Sequence, residues 1–198
     1  MSSILDSLTS SLSGNAEQIS GLLGTDPNGT AKAIQAAIPM LLGGLKQNAA
    51  TPEGADALHR ALDAHDGGLL DQAMDLFGGL QSADGSGILG HILGDRQGAA
   101  QAGIAKVSGL DPAQVARILA LVAPLVMAAL GKAKQSQGLD PGGLSDLLGR
   151  EHAHVEAQSP GLMGMLGQVL DRNHDGSMLD DALQMGGGLL GSLFGGQR

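Results

Sequence analysis

Five times in this chain a small polar or acidic residue stands directly before a proline: Asp26–Pro27, Thr51–Pro52, Asp111–Pro112, Asp140–Pro141 and Ser159–Pro160. Each pair is a helix start. The Asp, Thr or Ser side chain accepts from the orphan N–H groups of the first turn, and proline at the first helical position gives up a hydrogen bond that no helix makes there. Apolar residues then recur at three and four positions. After Asp111 they are Val115, Ile118, Leu119, Val122, Leu125, Val126 and Ala129. No period-two run of β-branched residues competes with this pattern, so the chain is predicted to be all-α and multihelical.

The core has to be aliphatic. Hydrophobic residues make up 42 % of the 198 residues, yet Phe77 and Phe194 are the only aromatics. Leu, Ile, Val, Met and Ala must fill the interior, which suits helices packed closely through small residues. There are 33 glycines, more than twice the usual share of about 7 %. They recur as GG and GLLG within apolar stretches, which assigns them to helix ends and close helix contacts. A glycine inside a helix costs roughly 1 kcal/mol relative to alanine. Such helices are expected to be short and to depend on tertiary packing.

The chain also repeats itself. Residues 26–45 align without gaps on 111–130, pairing Asp26 with Asp111, Pro27 with Pro112, Ala31 with Ala116, Lys32 with Arg117, Pro39 with Pro124 and Leu45 with Leu130. The recurrence of an interior proline, which removes a backbone hydrogen bond, argues against coincidence. Weaker likenesses join 67–87 to 160–178, and GILGHILGD (87–95) to GLLGSLFGG (188–196). The organisation expected is an amphipathic helix within 1–14, a first helical repeat over 15–95 and a second over 105–196, sharing one core.

Charge and composition exclude several functions. The net charge is −9, and the eleven Lys and Arg residues are scattered singly. A nucleic-acid surface would need them clustered, so no nucleic-acid partner is expected. There is no cysteine, which removes disulfides, thiolate metal sites and Cys nucleophiles. The longest apolar run, Ile118–Leu130, has 13 residues, whereas a spanning helix needs about 20. It is read as a buried core helix, and no integral membrane segment is expected. MSSILDSLTSSLSG at the start lacks the basic residues and continuous apolar stretch of a secretory signal. A cytoplasmic location is the expectation, with an extracytoplasmic one left open.

One segment has the pattern of a metal site. Residues 171–182 read Asp-Arg-Asn-His-Asp-Gly-Ser-Met-Leu-Asp-Asp-Ala. Oxygen side chains at loop positions 1, 3 and 5 (Asp171, Asn173, Asp175), Gly176 at position 6 and the Ser177 carbonyl at position 7 form the first half of an EF-hand-like calcium loop. The usual bidentate Glu at position 12 is Ala182, so Asp180 or Asp181 would have to close the shell. Affinity is then expected at the weak end, around 10⁻⁴–10⁻³ M. The other reading is a metal-free turn, with Asp175–Gly176 making the bend and Asp180 capping the next helix. The matching stretch of the first half, Gln81–Ser86, lacks the oxygens at positions 1 and 3 and is read as a turn that binds no metal.

Other polar groups point to no chemistry. His152 and His154, two apart, face different sides of a helix and are read as part of a solvated polar segment. His59 and His65 lie near Asp63 and Asp66 without ligand spacing, and His91, set among apolar residues, is read as a core histidine. Neither a Gly-x-Ser-x-Gly elbow nor a Walker phosphate loop occurs. No catalytic residues or organic cofactor are expected, and the protein is read as a non-enzyme.

The segments GSGILGHILGD (85–95), SGLDPAQVARILALVAPLVMAALGK (108–132) and LDRNHDGSMLDDAL (170–183) together resemble the bacterial YidB-like family, domain of unknown function 937. The resemblance covers most of residues 20–196, with GILGHILGD and APLVMAALG its most specific parts. It implies a small multihelical fold and no activity that can be transferred residue by residue. The functional expectation is a non-enzymatic helical protein acting through protein–protein contact or homo-oligomeric self-assembly by its apolar Gly-rich helices, with Ca²⁺ as the one possible ion. The alternatives are a metal-free scaffold in which 171–181 is only a capped turn, and a small-ligand carrier or enzyme using a cleft between the halves.

Overall fold

The structure is a computed structural model, and it describes residues 4–64 and 83–158. These residues form α1 (Ile4–Gly14), α2 (Ala16–Leu23), α3 (Pro27–Asn48), α4 (Pro52–Ala61), a 3₁₀ turn (Leu62–Ala64), α5 (Ala83–Leu93), a second 3₁₀ turn (Gly94–Arg96), α6 (Gln97–Ser108), α7 (Pro112–Gln137) and α8 (Pro141–Gln158). Among the described residues there is no strand. The fold is all-α, as the helix periodicity predicts.

Four of the five Xaa–Pro starts fall within the described residues, and each is a capped N-terminus. Asp26 accepts from Gly29 N at 2.6 Å, Thr51 from Gly54 N at 3.1 Å, and Asp140 from Gly143 N at 2.7 Å. Asp111 accepts from Gln114 N at 2.9 Å while the Gln114 carboxamide accepts from Asp111 N at 3.1 Å, a reciprocal capping box. Ser159–Pro160 lies outside the described residues.

Helices α3 and α7 are the centre. Ile34, Ile38, Leu41 and Leu42 of α3 and Ile118, Val122 and Val126 of α7 are wholly buried. The two helices pack on each other; α1, α2, α5 and α6 each touch both, and α8 packs on α3 and α4. Helix α7 is long and apolar enough to cross a membrane, but 72 % of its most apolar window is buried among its neighbours.

The segments that align at an offset of 85 follow the same local course. Gly24 and Gly109 end the preceding helices in the left-handed region, at φ 65° and 78°, which an L side chain rarely adopts. Two residues later come Asp26 and Asp111 as caps, then Pro27 and Pro112, and the interior prolines Pro39 and Pro124 are both buried. The ends of α2 and α6 are crossed over. Arg117 and Gln114 of α7 donate to the Leu23 and Gly24 carbonyls that close α2, at 3.1 and 3.4 Å. The end of α6 presses instead on α3, where a Cβ on Gly29 would meet Leu110 Cδ2 at 2.7 Å and the Ser108 carbonyl oxygen at 3.2 Å.

Candidate functional site: a polar cleft between α1, α3 and α8

Asp6, Thr9, Ser10 and Ser13 stand at i, i+3, i+4 and i+7 on α1 and so share one helical face. Leu8 and Leu12, on another face, are buried in the core and anchor the helix. The polar face of α1 closes over α3 at Gln35, Ile38 and Pro39, again at i, i+3 and i+4, and over α8 at Val155 and Gln158. Together they enclose a cleft of about 300 Å³, at the lower end of the roughly 300–1,000 Å³ typical of small-molecule sites.

The lining combines hydrogen-bonding groups with an apolar wall. Ser13 Oγ is buried and, among the described residues, has no hydrogen-bond partner. A buried hydroxyl in that state carries an uncompensated desolvation cost. Pro39 has no N–H to give the Gln35 carbonyl four residues earlier, so the wall of α3 lacks one ladder hydrogen bond where it faces the cleft. Ile38, Pro39 and Val155 are the apolar part.

At the edge, His154 Nε2 lies 2.9 Å from Asp6 Oδ2 and 2.6 Å from Gln158 Nε2. An Nε2–H donates to the carboxylate, the stronger acceptor, and ties the start of α1 to the end of α8. Serine, histidine and aspartate thus all occur around the cleft. They do not form a nucleophile–base pair, because Ser13 Oγ bonds to no histidine and the His154 Nε2–H is committed to Asp6.

A second polar cluster is structural. Lys134 of α7 is 8 % exposed, and its ammonium donates to the His59 carbonyl at 2.7 Å and to Asp63 Oδ1. The hydrogen bond from Lys134 holds the Asp63 carboxyl below its ordinary value, against a smaller opposing effect of burial. His59 Nε2 contacts the Leu139 carbonyl at 2.9 Å. The cluster fastens α4 and its 3₁₀ turn to the α7–α8 junction.

Several expectations fare differently. Asp171, Asn173, Asp175, Ser177, Asp180 and Asp181 lie outside the described residues, as does His65. Among the described residues, no three His, Asp or Glu side chains are grouped to hold a metal ion. The stretch read as the matching turn is helical from Ala83 onward, because α5 begins there and Gly85 is buried against α7. His91 is exposed rather than a core residue. Its apolar neighbours Leu89, Ile92 and Leu93 are buried on the other side of α5. The 151–156 segment is not simply solvated: His154 is bonded to Asp6, and the His152 side chain is 20 % exposed, its ring about 3.9 Å from where a Cβ on Gly43 would lie. Burial pushes the His152 ring below its ordinary value, helped by the nearby Lys46 charge.

Sequence reasoning missed the cleft residues Asp6, Ser13 and Gln35. The available signal was the polar stripe 6, 9, 10, 13 on a helix otherwise anchored by leucines. What it faces depends on α3 and α8, more than twenty residues away in the chain.

The family model described as "Bacterial protein of unknown function (DUF937)" matches residues 6–133. That span holds α1 through most of α7, including two of the three cleft walls. No curated protein and no solved structure matches the chain.

Proposed function

Because the chain belongs to this bacterial family, whose description assigns no activity, we propose its function from its own residues: a non-enzymatic helical protein that works by self-association through its apolar C-terminal segment. The observation that carries this reading is the way α5 docks. Leu89, Ile92 and Leu93 are buried and Ile88 is packed against the same core, while a Cβ on Gly44 of α3 would meet the Ile92 carbonyl oxygen at 2.8 Å. Helix α5 thus binds by an apolar face set against small residues. GLLGSLF at 188–194 repeats the spacing, with Leu189, Leu190, Leu193 and Phe194 standing where α5 has Ile88, Leu89, Ile92 and Leu93. A segment with that pattern suits a seat of the α5 kind, and α5 already fills that seat in its own chain. A second copy is the natural partner for such a segment, by exchange or by addition.

In this reading the 171–181 loop, with Ca²⁺ held by Asp171, Asn173, Asp175, the Ser177 carbonyl and Asp180 or Asp181, is a local clamp between two helices rather than a sensor. The likeness of 26–45 to 111–130 supports an internal duplication. Light scattering of the full chain against one ending at Gln184 tests the association. The full chain is expected to give the larger mass, and identical masses would remove the C-terminal segment as the assembly element.

A further inference from the structure

We propose that the second half of α8 is a pH-operated latch, docked on α3 while His152 is neutral and released from it when that ring takes a proton. Helix α8 is held in two different ways. Its first half is anchored by Leu144, Leu147 and Leu148, all buried, and by Ser145 Oγ, which donates to the Ala49 carbonyl at 3.1 Å. Within 149–158 no residue is buried. That half is held by Val155, partly buried against the core, by the His154–Asp6 hydrogen bond and by the His152 ring, which lies over Gly43 of α3. Between the halves stands Gly149, with open space where a Cβ would be. No crowding calls for glycine there, and glycine weakens a helix interior more than any residue but proline. The boundary is a ready hinge.

A proton on His152 meets different surroundings in the two states. The docked side chain is 20 % exposed, so a charge placed on it loses hydration. Lys46 of α3 adds repulsion. Both effects belong to the docked state and vanish on release. Glu156 attracts the charged ring, its carboxylate 3.9 Å from Nδ1, but it stands on α8 itself, four residues on, and moves with the ring. It therefore favours neither state. Asp6 of α1 faces His154 instead, and α4 borders the start of α8, where His59 meets the Leu139 carbonyl. A charged His154 would hold Asp6 more firmly and so oppose release. Both of those side chains are partly exposed, however, and water screens such a pair. Docking is thus favoured while the His152 ring is neutral. It loses ground, by at most about tenfold per pH unit, as pH falls below the ring's ordinary 6.5.

Release is read by amide hydrogen exchange of the full chain at about pH 7.5 and about pH 5, each rate divided by that of an unstructured chain at the same pH. Amides of 151–156 are expected to be less protected than those of α7 at both values, because they open without the rest of the fold. At the lower pH they should lose about fivefold of their protection. His152→Leu, which keeps an apolar group over Gly43 and cannot be charged, should abolish that loss. Lys46→Gln, at an exposed position, should reduce it, and keeps the test sound if His152→Leu fails to fold. Asp6→Asn should leave the loss in place. Equal protection at the two pH values, or protection matching that of α7, would overturn the proposal. A loss that His152→Leu or Lys46→Gln leaves unchanged would overturn it too, as would one that Asp6→Asn removes, since His154 would then be the responsive ring.

Discussion

Gly85 lies so close to the backbone of Ala120 that a Cβ placed on it would stand 2.1 Å from the Ala120 carbonyl oxygen. That carbonyl is the one Pro124, four residues on, cannot serve as donor. The bare Cα of a glycine can approach such an oxygen where no side chain could. The proline and the glycine therefore act together: one opens the α7 ladder, and the other lets α5 cover the gap. In α3 the matching carbonyl belongs to Gln35, below Pro39, and there both residues border the cleft between α1, α3 and α8.

Gly85→Ala is expected to lower stability by about 1–3 kcal/mol, because helix α5 must move away from α7 to admit the methyl group. Gly90 of the same helix has open space where a methyl group would stand, with no contact inside 4 Å. Gly90→Ala should therefore raise stability by about 0.5–1 kcal/mol through helix propensity. Urea denaturation of both variants separates close approach from propensity, and equal effects would contradict the packing account.

Ser13→Ala should leave the protein as stable as the parent or raise its stability by about 1 kcal/mol, because the hydroxyl it removes is buried without a partner among the described residues. A clear loss of stability on thermal denaturation would mean that the hydroxyl is satisfied in solution.

Among the described residues, two groups make the fold acid-sensitive, in separate windows. The folded-state value of Asp63 is below its ordinary 3.8 because Lys134 bonds its charged form, so that contribution is present above 3.8 and is lost as pH falls through the lower folded value. His152 is held below its ordinary 6.5 by burial. Its neutral ring is accommodated above 6.5, and stability declines as pH falls from there toward the folded value. Lys134→Met should flatten the Asp63 window. It should also cost about 1 kcal/mol at neutral pH by leaving the His59 carbonyl without its ammonium donor. Denaturation midpoints measured from about pH 7.5 to 2.5 would reveal both windows, and a parent profile flat from about 7 to 5 would refute the His152 part.

Calcium titration followed by calorimetry should show one weak site, with a dissociation constant around 10⁻⁴–10⁻³ M, and a melting shift that chelator reverses. Asp171→Ala should abolish both. Heats indistinguishable from dilution would leave 171–181 as a capped turn.

How far residues could be read depended on the distance over which they act. The caps at Asp26, Thr51, Asp111 and Asp140 were legible because a cap and the N–H it satisfies are three residues apart. The histidines were not. His91 and His154 are each followed directly by an apolar residue, Ile92 and Val155, yet one faces solvent and the other meets Asp6, 148 residues away in the chain.

By itself the sequence determined that the chain is helical, where the four described Xaa–Pro helices begin, that its core is aliphatic, and which family it resembles. Local hydrogen bonding and hydrophobic periodicity decide such matters within a few turns. Only the tertiary structure decided which polar residues are brought together. Ser13, Gln35 and Val155 belong to three helices, and they share a cleft only because Leu8 and Leu12 hold α1 in the core. The same holds for Gly85: the sequence marks a small residue there, but the need for it comes from an oxygen that Pro124 exposes on a different helix.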